Sequence, residues 1–198
     1  MLASIAREGT PAAASPATKA AKPSSDEALI ARIARRDQLA MRALVLRHRT
    51  ALYRWIKRRV LDEALAEDLV SEVFLDVWRQ AASFEGRSSV STWLFAVARY
   101  KALSARRRRT DAELDEDAAL RIPDPADDPE TSLLKKDRSA RIAQLLTNLS
   151  LKHREVLDLV YYHGKSVREV AEITGTAEAT VKTRMFHARK RLGALMAA

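Results

Sequence analysis

The sequence predicts an all-α protein made of two small helical domains joined by a flexible acidic linker, the second domain containing a helix-turn-helix. Apolar residues recur every three to four positions over long stretches, which is the period of an α-helix. All six prolines fall in two short stretches, 11–23 and 123–129, so the segments between them can be continuous helices. The 198 residues are enough for one or two such domains.

The composition indicates the kind of partner. The chain carries 35 Lys and Arg against 26 Asp and Glu, a formal net charge of +9, which favours nucleic acid or another anionic surface. It has no cysteine, and its four histidines lack the spacing of a metal site, so we expect no metal or other cofactor. The longest apolar run, 93–98, is too short to span a membrane, and no secretory signal is evident. We therefore expect a cytoplasmic protein without membrane insertion.

The first domain is predicted to span residues 26–110, after a tail at 1–25 that has too little apolar surface to become ordered. Asp26 or Ser25 is expected to cap its first helix. Further helices are expected near 38–60, 63–83 and 90–109. Their expected core residues are Leu29, Ile30, Ile33, Leu44, Val45, Tyr53, Trp55, Ile56, Leu69, Val73, Phe74, Val77, Trp93, Leu94, Val97 and Ala98.

Two charged features of this domain have more than one interpretation. Asp68, Glu72 and Asp76 stand four residues apart and form an acidic row whose mutual repulsion requires compensation. Basic residues of a neighbouring helix and a basic partner protein explain this row equally well. The basic run 106–109 either interacts with the dipole at a helix C-terminus or neutralises phosphates.

An acidic linker is predicted at 111–132, because residues 111–130 contain nine acids, three prolines and one base. The second domain then spans 133–198, with helices expected near 138–146 and 151–163.

The helix-turn-helix is predicted from two apolar stripes separated by a turn. The first stripe is Val167, Val170, Ala171 and Thr174, and the second is Val181, Met185, Ala188, Leu192 and Leu195. Between them, Gly175 can adopt the left-handed conformation that ends a helix, and Thr176 can cap the next.

The second of these helices has a basic face opposite its apolar stripe. Lys182, Thr183, Phe186, His187 and Lys190 share this face. A helix-turn-helix places such a face in the DNA major groove, whereas an ordinary amphipathic hairpin would leave it in water. Phe186 favours DNA, because a large aromatic gains little in water but can contact thymine methyl groups.

Three motifs now resemble a known family. The segments AEDLVSEVFLDVW, FEG followed by STWLFAVAR, and SVREVAEITGTAEATVKTRMFHARKRL occur in the order found in bacterial sigma factors of the extracytoplasmic-function (ECF) group. The resemblance covers residues 26–195. It implies a non-enzymatic protein that binds core RNA polymerase, directs it to the −35 and −10 promoter elements and promotes DNA melting. Such factors are usually held by an anti-sigma factor, and we expect one here.

The resemblance, together with the patterns above, implies three sets of site residues. The −35 set is Thr176, Thr180, Lys182, Thr183, Arg184, Phe186, His187 and Lys190. The −10 set, for base contact and melting, is Phe84, Arg87, Ser88, Trp93, Arg99, Tyr100, Lys101 and Arg106. The core set, for binding polymerase, is Glu67, Asp68, Ser71, Glu72 and Asp76. Tyr100 stands where the family usually has Asn, so the −10 base preference is not implied.

Two alternative functions of the chain, and the choice between two roles of the linker, stay open at this point. A stand-alone helix-turn-helix regulator would explain the basic helix but not the AEDLVSEVF or WLF segments. A nuclease would need clustered metal-binding carboxylates or a base–nucleophile pair, which the sequence does not suggest. If the chain is a sigma factor, its polyanionic linker either mimics nucleic acid in the polymerase channel or acts as a spacer.

Overall fold

The computed structural model describes residues 25–113 and 148–197, and these residues form seven α-helices with no strand among them. The helices are α1 Asp26–Ile33, α2 Gln38–Val60, α3 Glu63–Gln80, α4 Val90–Glu113, α5 Leu151–Leu157, α6 Val167–Thr174 and α7 Glu178–Ala197. A short 3₁₀ turn, Ala81–Ser83, follows α3. The all-helical prediction is therefore confirmed. The predicted tail before residue 25, the predicted helix near 138–146 and the linker beyond residue 113 lie outside the described residues.

Side-chain caps begin the first three helices. Ser25 accepts a hydrogen bond from the backbone N–H of Ala28 at 3.2 Å, so Ser25 rather than Asp26 caps α1. Asp37 and Asp62 cap α2 and α3 in the same way. These caps satisfy N–H groups that have no partner within the helix, and they start each helix at a defined residue.

The core of the first domain is built from the predicted apolar stripes of α1 to α4. Trp55 is fully buried and packs edge-on against Phe95, with ring centroids 5.7 Å apart. Most of the predicted core residues are buried, whereas Val45, Tyr53, Trp93 and Val97 are half-buried. Helix α4 continues to Glu113, four residues beyond the predicted end at Arg109.

The second domain packs α7 against α5 and α6. Helix α5 continues into a π-helical segment, Asp158–Tyr162, a rare form that often marks a functional site. The backbone N–H of Lys165 donates to the Leu159 carbonyl at 2.9 Å and closes this segment. The segment directs the buried carboxylate of Asp158 toward the first domain.

The two domains pack directly against each other. Helix α4 of the first domain contacts α6 of the second, and one continuous cluster of buried side chains includes residues of both. The Phe95 ring lies 4.7 Å from the His163 ring across this boundary.

Candidate nucleic-acid interface

The helix-turn-helix is formed by α6, a tight turn and α7. Ser166 and Glu169 form a reciprocal capping box at the start of α6. Gly175 ends α6 with φ +62°, a conformation that strains any residue carrying a Cβ atom. The turn therefore follows the prediction at Gly175.

Thr176 does not have its predicted role as the cap of α7. Helix α7 begins at Glu178, and the Thr176 hydroxyl instead pairs with the Thr174 hydroxyl at 2.9 Å. The Thr176 backbone N–H donates to the Ala171 carbonyl at 3.1 Å, so Thr176 completes the end of α6 rather than the start of α7.

Helix α7 separates an apolar face from a polar one, as predicted. Val181, Met185 and Ala188 are buried against α5 and α6, and Leu192 is half-buried. Most of the −35 set is exposed, with 62% of the Phe186 surface open to solvent. Thr176 and Arg184 are half-buried. The Thr183 hydroxyl donates to the Ala179 carbonyl at 3.0 Å, so its proton is already committed within α7.

Phe84, Arg87 and Ser88 of the −10 set lie in the loop between α3 and α4, and Trp93 lies in the first turn of α4. The Phe84 and Trp93 rings pack with their centroids 5.1 Å apart, and both are half-buried. Arg87 is highly exposed and forms an ion pair with Glu85. These side chains give the loop a basic and aromatic surface.

The helical residues of the −10 set are not gathered on one face of α4. Tyr100 is 71% exposed and is free to stack on another ring. Arg99 Nε instead donates to Glu155 Oε1 of the second domain at 3.0 Å. Arg106 is half-buried, and its charge adds to the burial that lowers the pKa of Arg154 in α5. Among the predicted −10 residues of α4, Tyr100 is therefore exposed to solvent, whereas Arg99 lies at the boundary between the domains.

Lys101 compensates the acidic row within the first domain. Its Nζ atom lies 2.8 Å from Asp76 Oδ2 and 3.1 Å from Glu72 Oε2. Hydrogen bonding to Asp76 is the main reason that the pKa of Lys101 is raised. Glu67 pairs with Arg49 of α2. Asp68 is exposed, and no ion pair reaches it from residues 25–113 or 148–197. A basic residue of a neighbouring helix therefore compensates Glu72 and Asp76, whereas Asp68 stays exposed, as a contact with a basic partner protein would require.

A second group of charged residues joins the domains, and sequence reasoning missed it. Asp158 Oδ1 lies 2.6 Å from Arg58 Nη2, and Asp158 Oδ2 lies 3.0 Å from Arg59 Nη1. About 100 residues separate the partners, so no local spacing predicts these pairs. The available signal was Asp158 itself, a single acid within the apolar run VLDLV.

His163 lies in this boundary as a neutral ring. Arg58 Nη2 lies 3.0 Å from His163 Nε2, a contact in which only a neutral imidazole can accept. Burial lowers the pKa of His163 from 6.5 to about 4. The nearby charges act in both directions: that of Asp158 raises this pKa, and those of Arg58, Arg59 and Lys165 lower it.

The described part of the chain was compared with the requirements of a metal site and of a membrane-spanning helix. Between residues 25 and 113 and between 148 and 197, no three His, Asp or Glu side chains lie close enough to hold a metal ion. Within the same ranges, none of the helices has the length and apolarity needed to cross a bilayer.

Comparison with known protein families identifies both domains. Residues 44–111 match the Sigma-70 region 2 family, and residues 139–192 match the Sigma-70 region 4 family. The chain is 33% identical over 180 residues to the RNA polymerase sigma factor NccH of Alcaligenes xylosoxydans xylosoxydans, covering 88% of this chain and 96% of NccH. It is 31% identical to the ECF RNA polymerase sigma factor SigK of Mycolicibacterium vanbaalenii, covering 80% of this chain and 83% of SigK.

Solved structures agree with this assignment. The structure of CnrH in complex with the cytosolic domain of CnrY superposes with a TM-score of 0.64 at 27% identity, covering 86% of this chain and 96% of CnrH. The sigma factor RpoE of Bartonella quintana, solved with the anti-sigma factor NepR, superposes with a TM-score of 0.66 at 29% identity, covering 78% of this chain and 94% of RpoE. With both characteristic domains present and relatives matched over most of their length, the chain belongs to the extracytoplasmic-function group of RNA polymerase sigma factors.

Proposed function

We propose that this sigma factor recognises the −35 element through α7 and holds the melted −10 strand on the first domain. The principal support is the division of α7 into a buried apolar stripe and an exposed face containing Lys182, Phe186 and His187. A helix anchored in this way can enter the major groove without disturbing its own core. The protein acts by binding, in the cytoplasm where core polymerase is found, and not by catalysis.

On the −35 face we assign base contact to the exposed side chains in the N-terminal half of α7. Lys182 can donate to guanine O6 and N7, and the Phe186 ring can contact a thymine methyl group. Because the Thr183 hydroxyl is hydrogen-bonded within α7, we assign its methyl group to apolar contact. Thr180 and Lys190 lie on the same exposed side and complete the contact surface.

On the −10 side we assign the unpaired strand to the aromatic and basic residues around the start and middle of α4. Tyr100 is exposed, and stacking on one unpaired base contributes about 1–3 kcal/mol. Unstacking a base costs a few kcal/mol, so stacking together with phosphate contacts from Arg87, and from Arg99 once it is released from Glu155, can hold the open strand. Tyrosine cannot reproduce the hydrogen-bond pattern of an Asn, so we assign it stacking rather than base selection.

Core polymerase is proposed to dock on the N-terminal half of α3. Asp68 is exposed, Ser71 lies one turn further on, and Glu67 is 45% exposed. Lys101 already neutralises the other end of the acidic row, at Glu72 and Asp76. We therefore centre the docking surface on Asp68, and a basic partner surface would complement it.

An anti-sigma factor is the proposed regulator. RpoE of Bartonella quintana was solved with the anti-sigma factor NepR and resembles this chain over most of its length. We extend that control to this chain.

Run-off transcription with core polymerase and genomic promoter fragments tests the proposed function. We expect defined transcripts only when both the factor and core are present. A protein that instead binds duplex DNA tightly by itself, usually as a dimer, and gives no transcript with core would be a stand-alone regulator.

A further inference from the structure

A notch lies where the start of α5 meets the C-terminal half of α7. Its volume is about 550 Å³, so it has room for one unit of a sugar–phosphate backbone as well as for a bare anion. The rings of His153 in α5 and His187 in α7 meet in it, with centroids 6.4 Å apart and planes inclined by 31°. The residues that line the notch are Asn148, Leu149, Ser150, His153, His187, Lys190, Arg191 and Ala194.

The lining of the notch contains basic groups and no carboxylate. Lys190 and Arg191 are exposed, and no ion pair reaches either of them in the part of the chain that the structure describes. The sequence neighbours of His153, which are Lys152 and Arg154, are cations too. The notch therefore has an uncompensated positive charge and favours an anion.

The acids of the neighbouring helices are far away or engaged elsewhere. Glu178, the only acid of α7, lies in its first turn, more than two turns before the notch. Glu155, the only acid of α5, is engaged at Oε1 by arginines of the first domain, and Asp158 points in the same direction. The two acids of α6, Glu169 and Glu172, each pair with a basic residue four positions earlier.

The notch adjoins the residues that we assign to base contact. His187 follows Phe186, and their rings meet edge to face with centroids 5.5 Å apart. Positions 187, 190, 191 and 194 form one strip along α7, because they stand at i, i+3, i+4 and i+7. In a helix-turn-helix the N-terminal part of the second helix contacts bases, and the groups around it contact backbone phosphates. The notch thus lies where a phosphate beside the recognised bases is expected.

We propose that this notch binds a phosphate of the DNA backbone beside the −35 element, and that His153 of α5 is one of its contacts. Lys190 and Arg191 supply fixed positive charge, and the two imidazoles supply N–H donors. A phosphate favours the protonated form of each imidazole, so binding takes up protons. Because histidine gains its charge between pH 8 and 5, affinity for the −35 element should rise as the pH falls.

The proposal rests on the proposed function and deepens it. Sequence reasoning placed the whole −35 set on the helix-turn-helix, whereas His153 belongs to the preceding helix. The additional contact positions the domain on DNA without reading a base, and it makes promoter affinity dependent on pH.

The pH dependence is measured with holoenzyme and a fluorescein-labelled duplex of a promoter found by run-off transcription. We expect the parent to bind up to about fivefold more tightly at pH 6 than at pH 8, the gain from one partly exposed ion pair. His153→Gln should lose most of this gain, because glutamine can donate a hydrogen bond but cannot take up a proton. His153→Arg should bind at pH 8 about as tightly as the parent binds at pH 6.

Arg191 and Arg189 offer a matched pair of charge removals. Both are exposed on α7, but only Arg191 lines the notch. Arg191→Gln should lower the salt dependence of binding by about one unit of slope. Arg189→Gln should keep the pH dependence of the parent.

Replacing single backbone phosphates with uncharged methylphosphonate locates the contact. With the parent, replacement at one position beside the −35 element should weaken binding at pH 6 and remove the gain over pH 8. At that position His153→Gln and Arg191→Gln should lose less affinity than the parent, because part of the contact is already absent. Arg189→Gln should lose as much as the parent.

Two kinds of failure can be told apart. If His153→Gln, shown to be folded by thermal unfolding, keeps the pH gain of the parent and its loss at every methylphosphonate position, the notch proposal is overturned. Arg191→Gln decides the same question at an exposed site if His153→Gln does not fold. Equal binding of the parent to promoters with an intact and a scrambled −35 element would refute the proposed function itself, and the notch with it.

Discussion

Met185 and Phe186 are neighbours in sequence and should respond to alanine substitution in opposite ways. Met185 is 7% exposed and belongs to the buried stripe of α7, whereas Phe186 is 62% exposed on the opposite side. We expect Met185→Ala to lower the stability of the second domain without changing which DNA sequence is bound. Phe186→Ala should leave stability unchanged and weaken discrimination for one A·T pair.

The expected loss of stability in Met185→Ala follows from the burial of the Met185 side chain. Replacing a buried Met with Ala typically costs 2–5 kcal/mol, and the lower part of this range suits a side chain at the edge of a small domain. A loss of about 2 kcal/mol should lower the melting temperature by roughly 10 °C for a domain as small as the second one. Loss of a single base contact by Phe186 should change specificity by about 1–3 kcal/mol at one position.

Stability is measured by thermal and denaturant unfolding, and DNA binding is measured with the holoenzyme on promoters mutated one base pair at a time. Lys182→Ala is the companion variant, because Lys182 is exposed on the same side as Phe186. If Lys182 contacts a base, specificity relaxes at one position. If it contacts only phosphate, binding weakens on all sequences and the salt dependence falls by about one unit of slope. Unfolding by Phe186→Ala and Lys182→Ala, with Met185→Ala still stable, would mean that the DNA face has been assigned to the wrong side of α7.

Three further perturbations test other parts of the molecule. Asp68→Lys should weaken association with core polymerase while helicity is retained. The control is Glu27→Lys, which makes the same charge change at an exposed position of α1 and should not weaken association. Equal affinity of both variants for core would exclude this end of α3 as the docking surface. Replacing the acids of residues 111–130 with Ser and Gly at constant length should reduce initiation or promoter escape if the linker mimics nucleic acid, and should change neither if it is a spacer. The free energy of unfolding should fall by up to about 3 kcal/mol between pH 6.5 and 4, because the unfolded chain takes up a proton on His163 in that window and the native protein does not. This slope should be lost in His163→Gln, and an unchanged slope would show that another group is responsible.

Helix starts were the most predictable part of this protein, whereas α3 ends three residues before its predicted end at 83 and α4 ends four residues after its predicted end at Arg109. The structure places α2 at Gln38–Val60, as predicted, because its start depends on a local cap at Asp37 and its inward face on local periodicity. The division of α7 into two faces followed from the same 3.6-residue period. Helix starts and amphipathic faces depend only on residues that are a few positions apart in the sequence.

Contacts between distant residues could not be predicted in the same way. Nothing in the spacing of Glu72 and Asp76 indicates that Lys101, on another helix, neutralises both. Likewise, the burial of Asp158 between two arginines of the other domain depends on how the domains pack. The −10 set was proposed as if α4 faced only DNA, and the structure shows that Arg99 is already engaged by Glu155.

The carboxylate of Glu169 performs two tasks with its two oxygen atoms. Oε2 accepts the backbone N–H of Ser166 at 3.0 Å and so begins α6, while Oε1 accepts the Thr92 hydroxyl of the first domain. If the two domains separate, water can replace Thr92 at Oε1 while Oε2 continues to hold the first turn of the helix. The DNA-binding unit can therefore leave its neighbour as a preformed body, with no local unfolding added to the barrier for promoter engagement.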